Sequence, residues 1–454
     1  MDTKGYFKNK KIVIMGLGVL GRGVNVARFL AQNGANLLVT DLKTKEELSS
    51  ALEELKDFPN IKYVLGEHWL EDFREADMVV RAANVPLGSP YLEEAQAHNI
   101  PVKMDASLFC ELLPDGVKTI GITGTRGKST VTQLVYEILK ASGKRAWLGG
   151  NVRGVATLPL LESVEPGDFV VLELDSWQLQ GFGDSKVGPD IAVFTTFMRD
   201  HQNYYGGDPD STNFDYGAGM ERYLADKANI FLYQKVDDVL ILGSQVQEKI
   251  HNFYGGQIKS QTIVAPSDLP TGWQIKMLGQ HNRYNASLAL EVAKILDLDP
   301  VKTKETIENF PGVPGRLQFI REVEGVKYYN DTNATTPDAT IAALSALKQY
   351  TGRVILIGGG ADKELDFTDY ARAVPSLVKE LILFKGAATD KIKKILGPET
   401  KISEVSSMSE AMDIARGSAV VGDIILLSPG ASSFGIFTNE YDRGDQFVEL
   451  VENI

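Results

Sequence analysis

The chain has 454 residues, 43% of them hydrophobic, which is enough for two or three domains of roughly 100 to 200 residues with separate cores. A net charge of −13 argues against a nucleic-acid surface or an anionic-membrane surface, because both are held mainly by Lys and Arg on phosphate. No stretch of about 18 apolar residues suggests a membrane span, MDTKGYFKNK has no apolar signal core, and the single Cys110 cannot close an intrachain disulfide. A cytoplasmic protein with no nucleic-acid or membrane partner is expected, working as a monomer.

The first segment reads KKIVIMGLGVLGRGVNVARFLAQNGANLLVTD: a strand, a G-x-G-x-x-G turn at Gly16, Gly18 and Gly21, a helix, and a strand ending at Asp41. An acidic residue 20 positions beyond Gly21 completes a dinucleotide-type βαβ pattern, whose helix N-terminus suits a pyrophosphate. A nicotinamide cofactor and a UDP-sugar would use that terminus alike, and glycines kept only for close packing are the bland alternative. Further strand and helix signals run through DMVVRAA, SPYLEEAQAH and IPVKMD to a linker at LLPDG, Leu112 to Gly116.

Next comes GITGTRGKST, Gly121 to Thr130. A buried strand leads into glycines, one lysine and two hydroxyls, and Val131, Leu134, Val135, Ile138 and Leu139 then mark the apolar face of a helix. Backbone N–H groups and the helix dipole would cradle a nucleotide phosphate there, with Lys128 adding charge and Ser129 or Thr130 a hydroxyl for Mg²⁺. The spacing departs from the strict G-x-x-x-x-G-K-[ST] loop. DFVVLELDSWQLQ then ends a buried strand on Glu173, a carboxylate that needs an ion pair or a metal. DIAVFTTF leads to Arg199, Asp200 and His201 at the strand end, where open α/β sheets place ligands. In the following helix Met220, Tyr223, Leu224, Ala228 and Phe231 form an apolar stripe that also contains Lys227. That lysine either snorkels or points into a site, as a cation or chemically modified. Asn282 and Asn285 at the start of another helix would cap it or meet a base edge.

FPGVPGR, Phe310 to Arg316, has linker composition. Beyond it VKYYND, RVILIGGG, ELILFKG and DIILLSPG read as strands, and their polar turns place Asp331, Thr335, Lys363 and Ser433 at strand C-termini, which suits a second anionic or zwitterionic ligand.

Together these motifs resemble the Mur ligases, the ATP-dependent amide ligases of peptidoglycan precursor synthesis. The resemblance runs through GITGTRGKST, LGGN, ELDSWQL, Asp200-His201, YLADKANIF, GQHNRYN, PGR, NDTNAT, GGADKELDF and SPGASSF, in family order over nearly the whole chain. It implies an α/β fold of three domains: a Rossmann-like domain at 1–114 for a UDP-sugar, a P-loop-type ATPase domain at 115–312, and a Rossmann-like amino-acid domain at 313–454. The implied substrates are ATP, UDP-N-acetylmuramoyl-L-alanine and D-glutamate, with two Mg²⁺ ions. Gly18, Val19, Leu20, Asp41, Leu42 and Lys43 would hold the UDP, and Asn84 and Asn151 the rest of that substrate. Gly124, Thr125, Arg126, Gly127, Lys128, Ser129 and Thr130 would hold the phosphates, Asn282 and Asn285 the adenine, and Arg316 and Asp331 the nucleotide. Thr335, Lys363, Ser433 and Phe434 would receive D-glutamate. Ser129 and Glu173 would bind one metal ion, and His201 and a carbamylated Lys227 the other; Lys128, His201 and Lys227 would be catalytic.

Three residues and one turn depart from the family pattern. Arg126 and Asp175 add opposite charges beside the phosphate and metal sites and are expected to pair. Asn333 stands where the third-domain motif has lysine, and Ala82-Ala83-Asn84 replaces a Ser-Pro-Gly turn, where Arg81 is a candidate to supply a phosphate contact instead.

Overall fold

A computed structural model describes residues 3–18, 21–83, 85–86, 88–206, 216–362, 365–396 and 402–454. The chain forms two compact units, one of Met1–Leu269 with Tyr284–Thr306 and one of Pro270–Arg283 with Ile307–Ile454. Among the described residues the first unit holds two sheets and the second holds one.

The first sheet comprises β1 (Lys11–Met15), β2 (Asn36–Asp41), β3 (Ile61–Leu65), β4 (Met78–Arg81) and β5 (Val102–Lys103), all parallel in the order β3-β2-β1-β4-β5. β1 is apolar because helices cover both its faces; Ile12 to Met15 are all buried. Strand order reverses between β1 and β4, opening a crevice at their C-terminal ends.

The second sheet comprises β6 (Lys118–Thr123), β7 (Ala146–Gly150), β8 (Phe169–Glu173), β9 (Ile191–Phe194), β10 (Val239–Gly243) and β11 (Gln261–Ala265), parallel in the order β11-β10-β9-β6-β8-β7. β6 lies between β8 and β9, so the phosphate loop, Glu173 and the segment running to His201 all leave the same edge. One apolar core runs from Phe7 to Ile250 across both sheets. Buried Asp105 reinforces it by accepting the N–H groups of Thr157 and Leu158 at 2.9 and 2.7 Å.

The second unit is built on β12 (Gln318–Val323), β13 (Val326–Asn330), β14 (Val354–Gly359), β15 (Val378–Phe384), β16 (Ile402–Val405) and β17 (Ile424–Leu427), in the order β12-β13-β17-β14-β15-β16. The four apolar runs expected as strands are β13, β14, β15 and β17. β12 escaped because it is a half-exposed edge strand, QFIREV, antiparallel to β13 and carrying a register shift between Phe319 and Arg321. β16 escaped because ISEV is short and half-polar.

Candidate active site

The phosphate loop is shaped by contacts that only glycine allows. Gly124 has φ 140°, and a Cβ there would lie 2.0 Å from Thr195 Oγ1 and 2.8 Å from the Thr196 nitrogen. Gly127, at φ 89°, precedes the helix Lys128–Ala141 without a side-chain cap, and a Cβ on it would meet Asn285 Oδ1 at 2.4 Å. Between them the Thr125 N–H donates to the Thr196 carbonyl (2.7 Å) and the Arg126 N–H to Thr196 Oγ1 (2.9 Å). The loop is thus anchored to the end of β9 with the uncapped helix start behind it, an arrangement suited to an anion. Lys128 Nζ donates to the carbonyls of Gly124 and Thr125 at 3.0 and 3.2 Å, holding its charge at this loop. Ser129 and Thr130 lie in the first turn of the helix, Thr130 buried.

Lys227, on the helix Tyr216–Leu232, is 1% exposed and points inward. Its Nζ donates to the Gly124 carbonyl at 3.0 Å, lies 3.4 Å from Thr123 Oγ1, and sits 4.8 Å from the centre of the Tyr223 ring. Burial, then the Lys128 charge, pushes its pKa well below the ordinary lysine range, opposed by Asp175, Asp200 and Asp226. Both lysines therefore share one loop carbonyl, and burial and like charge disfavour the ammonium form of Lys227.

His201 takes φ 52°, with its ring 4.5 Å from that of Trp177 and 5.8 Å from that of Tyr223. Burial lowers its pKa against the opposing charge of Asp200, disfavouring the imidazolium form. Burial by itself would raise the Asp200 carboxyl, but His201, Arg126 and Lys128 hold it below its usual range. The expected Arg126–Asp175 pair gives way to another arrangement: Arg126 Nη1 bonds Asp200 Oδ2 at 3.1 Å. Asp175 instead caps the helix Ser176–Ser185, accepting the Gln178 N–H at 2.8 Å while Gln178 Oε1 accepts the Asp175 N–H at 3.4 Å. An Asp followed three residues later by Gln is a capping-box sequence, so this was readable from local order alone.

Glu173 is 6% exposed and ends β8 in register with Ile122. Its carbonyl accepts the Asn151 N–H at 2.7 Å, and a Cβ on Gly150 would lie 2.1 Å from the same carbonyl oxygen. No group of three or more His, Cys, Asp and Glu suited to a metal occurs among the described residues. Ser129 and Glu173 carry oxygen donors of the kind Mg²⁺ takes, whereas His201 and Lys227 carry nitrogen, so Lys227 would suit Mg²⁺ only as an oxygen-bearing carbamate.

At the first sheet, Asp41 is 8% exposed and braces the glycine turn: Oδ2 accepts the N–H groups of Leu17 and Gly18 at 2.8 and 3.0 Å, and Oδ1 that of Lys43 at 2.9 Å. A Cβ on Gly18 or Gly21 would meet nothing within 4 Å, leaving that side of the turn open to a ligand. Leu42 is largely exposed, and Lys43 lies 3.8 Å from Glu47. Val19, Leu20 and Asn84 lie outside the described residues. Sequence reasoning missed Arg22: its Nη2 donates to Asn151 Oδ1 at 3.3 Å, joining the first turn of the helix after the glycines to the LGGN segment. Arg81 is not positioned as a phosphate contact. Its side chain is fully buried, donates to Gln180 Oε1 at 3.1 Å and the Val85 carbonyl at 3.3 Å, and lies 3.9 Å from Asp184.

In the second unit Asn282 and Arg316 line one cavity of about 430 Å³. Asn282 Nδ2 donates to the Leu278 carbonyl at 2.9 Å, whereas Asn285, against Gly127, belongs to the first unit. Asp331 is buried; its two oxygens accept the Leu317 N–H and the Ser428 hydroxyl at 2.9 and 2.8 Å, and burial pushes its pKa up to about 7. Thr335 is half-buried, Ser433 buried and Phe434 63% exposed; Lys363 lies outside the described residues. Arg443, unnoticed in the closing helix, is fully buried and donates to Thr332 Oγ1, the Thr332 carbonyl and the Ala431 carbonyl at 3.1, 2.8 and 3.3 Å, tying together the turns after β13 and β17.

Comparison with known proteins matches residues 10–103 to the Mur ligase MurD-like N-terminal domain, 122–263 to the Mur ligase middle domain and 315–430 to the Mur ligase glutamate ligase domain. The UDP-N-acetylmuramoylalanine–D-glutamate ligase of Roseiflexus sp. (strain RS-1) is 34% identical over 98% of this chain and 98% of its own length. The enzyme of the same name from Borreliella burgdorferi is 35% identical over the same shares. Among solved structures, UDP-N-acetylmuramate-alanine ligase from Thermotoga maritima shares the fold with a TM-score of 0.59 at 19% identity, covering 98% of this chain and all of its own. With its three sheets, the lysine-bearing loop after β6 and the full-length similarity in agreement, the chain belongs to the Mur ligase family.

Proposed function

We propose that the protein joins D-glutamate to UDP-N-acetylmuramoyl-L-alanine at the expense of ATP, releasing ADP and phosphate, with domains at 1–114, 115–312 and 313–454. The names of the full-length relatives support the substrates. The observation that carries the chemistry is the convergence of Lys128 and the buried, deprotonation-prone Lys227 on the Gly124 carbonyl.

A carboxylate is a poor acyl donor because oxide does not leave. Attack of its oxygen on the γ-phosphorus of ATP expels ADP and gives an acyl phosphate; the amine of D-glutamate then adds to the acyl carbon, and the tetrahedral intermediate loses the amine's proton and expels phosphate, leaving the amide. Lys128 and the N–H groups of the loop neutralise phosphate charge as it moves. Arg126, held by Asp200, adds a second cation there. Ser129 and Glu173 would hold one Mg²⁺, and His201 and Lys227 the other. Lys227 would do so as a carbamate: its neutral amine adds to CO₂ and releases a proton to solvent, which leaves an anionic oxygen ligand. Bound Mg²⁺ supplies charge neutralisation on the phosphoryl oxygens. The open turn at Gly18 and Gly21, braced by Asp41, takes the UDP moiety, and Arg22 with Asn151 faces its diphosphate. In the second unit Asn282, Arg316 and Asp331 serve the nucleotide, and Thr335, Ser433 and Phe434 serve D-glutamate.

The test is phosphate release from the purified protein with ATP and Mg²⁺. Release is expected only when UDP-N-acetylmuramoyl-L-alanine and D-glutamate are both present. Release with another amino acid in its place would overturn the D-glutamate assignment, and no release with any acceptor pair would overturn the ligase reading.

A further inference from the structure

The cavity of the second unit is lined on one side by Phe319 and Glu322 from β12 and by Lys327 and Tyr329 from β13. In a regular strand, residues three apart point to opposite faces. Here the register shift between Phe319 and Arg321 re-phases β12: Phe319 pairs with Tyr329 and Glu322 with Lys327. Since Lys327 and Tyr329 are two apart on β13 and share a face, the shift brings both Phe319 and Glu322 onto that same face. An irregularity that re-aims two side chains into one cavity is a common device beside ligand sites.

The face so formed has distinct chemistry. Phe319 is 48% exposed on an edge strand, and its ring stands 5.4 Å from that of Tyr329, which is buried behind it. Met277 and Leu278 add apolar wall, while Asn282 and Arg316 supply polar groups to the same space. A volume of about 430 Å³ lies within the range of small-molecule sites, which is roughly 300–1,000 Å³. An open aromatic face bordered by a carboxylate and an amide suits a flat heteroaromatic ring with an exocyclic amine. Lys327 Nζ donates to the Tyr350 hydroxyl at 3.1 Å, a contact directed to that hydroxyl.

We propose that Phe319, backed by Tyr329, is the stacking platform for the purine base of the nucleotide, and that Glu322 accepts the 6-amino group of adenine and so disfavours guanine, which carries an oxo group there. This rests on the reading of the chain as an ATP-dependent ligase and adds residues that set its choice of base.

The test uses the full chain with Phe319→Ala, Phe319→Trp and Glu322→Gln, measuring KM and kcat for ATP and GTP and calorimetric binding of ADP. Phe319→Ala is expected to raise KM for ATP and weaken ADP binding by about 5-fold to 100-fold, the worth of one base stacked on an aromatic ring. KM for the nucleotide-sugar should not change, and Phe319→Trp should restore ATP affinity. Glu322→Gln should narrow the preference for ATP over GTP by about tenfold with little change in the aromatic contribution. A turning-over native enzyme whose Phe319→Ala variant keeps its KM for ATP and its ADP affinity overturns the platform alone, and an unchanged ATP-to-GTP ratio in Glu322→Gln overturns the role of the carboxylate. A native chain that neither binds ADP nor releases phosphate overturns the ligase reading and this inference with it.

Discussion

Lys227 is the residue whose environment is most unlike that of a free amino acid. An ammonium with 1% exposure, beside a second lysine, is disfavoured by desolvation and by like charge. Its helix nonetheless delivers the amine to the Gly124 carbonyl. Lys227→Met should abolish phosphate release while leaving ADP binding within severalfold, as read by activity and calorimetry on the same preparation. With ¹³C-bicarbonate, a carbamate resonance should appear in the native protein and be absent from that variant. Asp331 makes a different prediction. Its carboxyl is raised from 3.8 to about 7, chiefly by burial, against the lowering effects of Ser428, the Leu317 N–H and Arg316. Between those values the folded state binds more protons than the unfolded one, so this group's contribution to stability is fully present below about pH 4 and is lost as pH rises to about 7, at a slope approaching ~1.4 kcal/mol per pH unit. Asp331→Asn removes the titration and can still accept the Leu317 N–H. Subtracting its urea-unfolding profile from that of the native chain should expose this slope; parallel profiles would show that the carboxyl does not titrate there.

The phosphate loop is a local motif held in shape by contacts far along the chain. Gly127 is left-handed at φ 89° and faces Asn285, more than 150 residues on. Gly127→Ala should lower stability by about 1–2 kcal/mol through backbone strain and weaken ADP binding, both measurable without turnover. The helix Ser176–Ser185 shows the opposite balance, because its start is specified within four residues by the Asp175–Gln178 box. Asp175→Ala should lower stability by about 1 kcal/mol. β12 lies between these cases: a half-exposed edge strand with a register shift offers neither an apolar run nor a clean alternation to read.

On the scale of the whole chain, division into two compact units predicts separable unfolding. Asp175 belongs to the first unit and Arg443 to the second, where the buried guanidinium joins two turns through three hydrogen bonds. Calorimetry should resolve two transitions, Asp175→Ala lowering one and Arg443→Met the other, the latter by several degrees because it leaves the Thr332 and Ala431 carbonyls buried without that donor. A single transition shifted by both variants would show the chain to be one cooperative unit. The amino-acid sequence by itself determined the α/β architecture, since buried parallel strands need continuous apolar runs and glycine supplies the left-handed turns that follow them. It also placed Lys227 on the buried stripe of its helix, because an amphipathic helix fixes which residues share a face, but whether the amine snorkels out or turns inward was decided by the structure. Only tertiary structure decided which charges meet. Arg126 reaches Asp200, Arg81 is buried against Gln180 and Asp184, and Phe319 shares a cavity with Asn282, because ion pairs and cavities depend on distances between strands that no local pattern encodes.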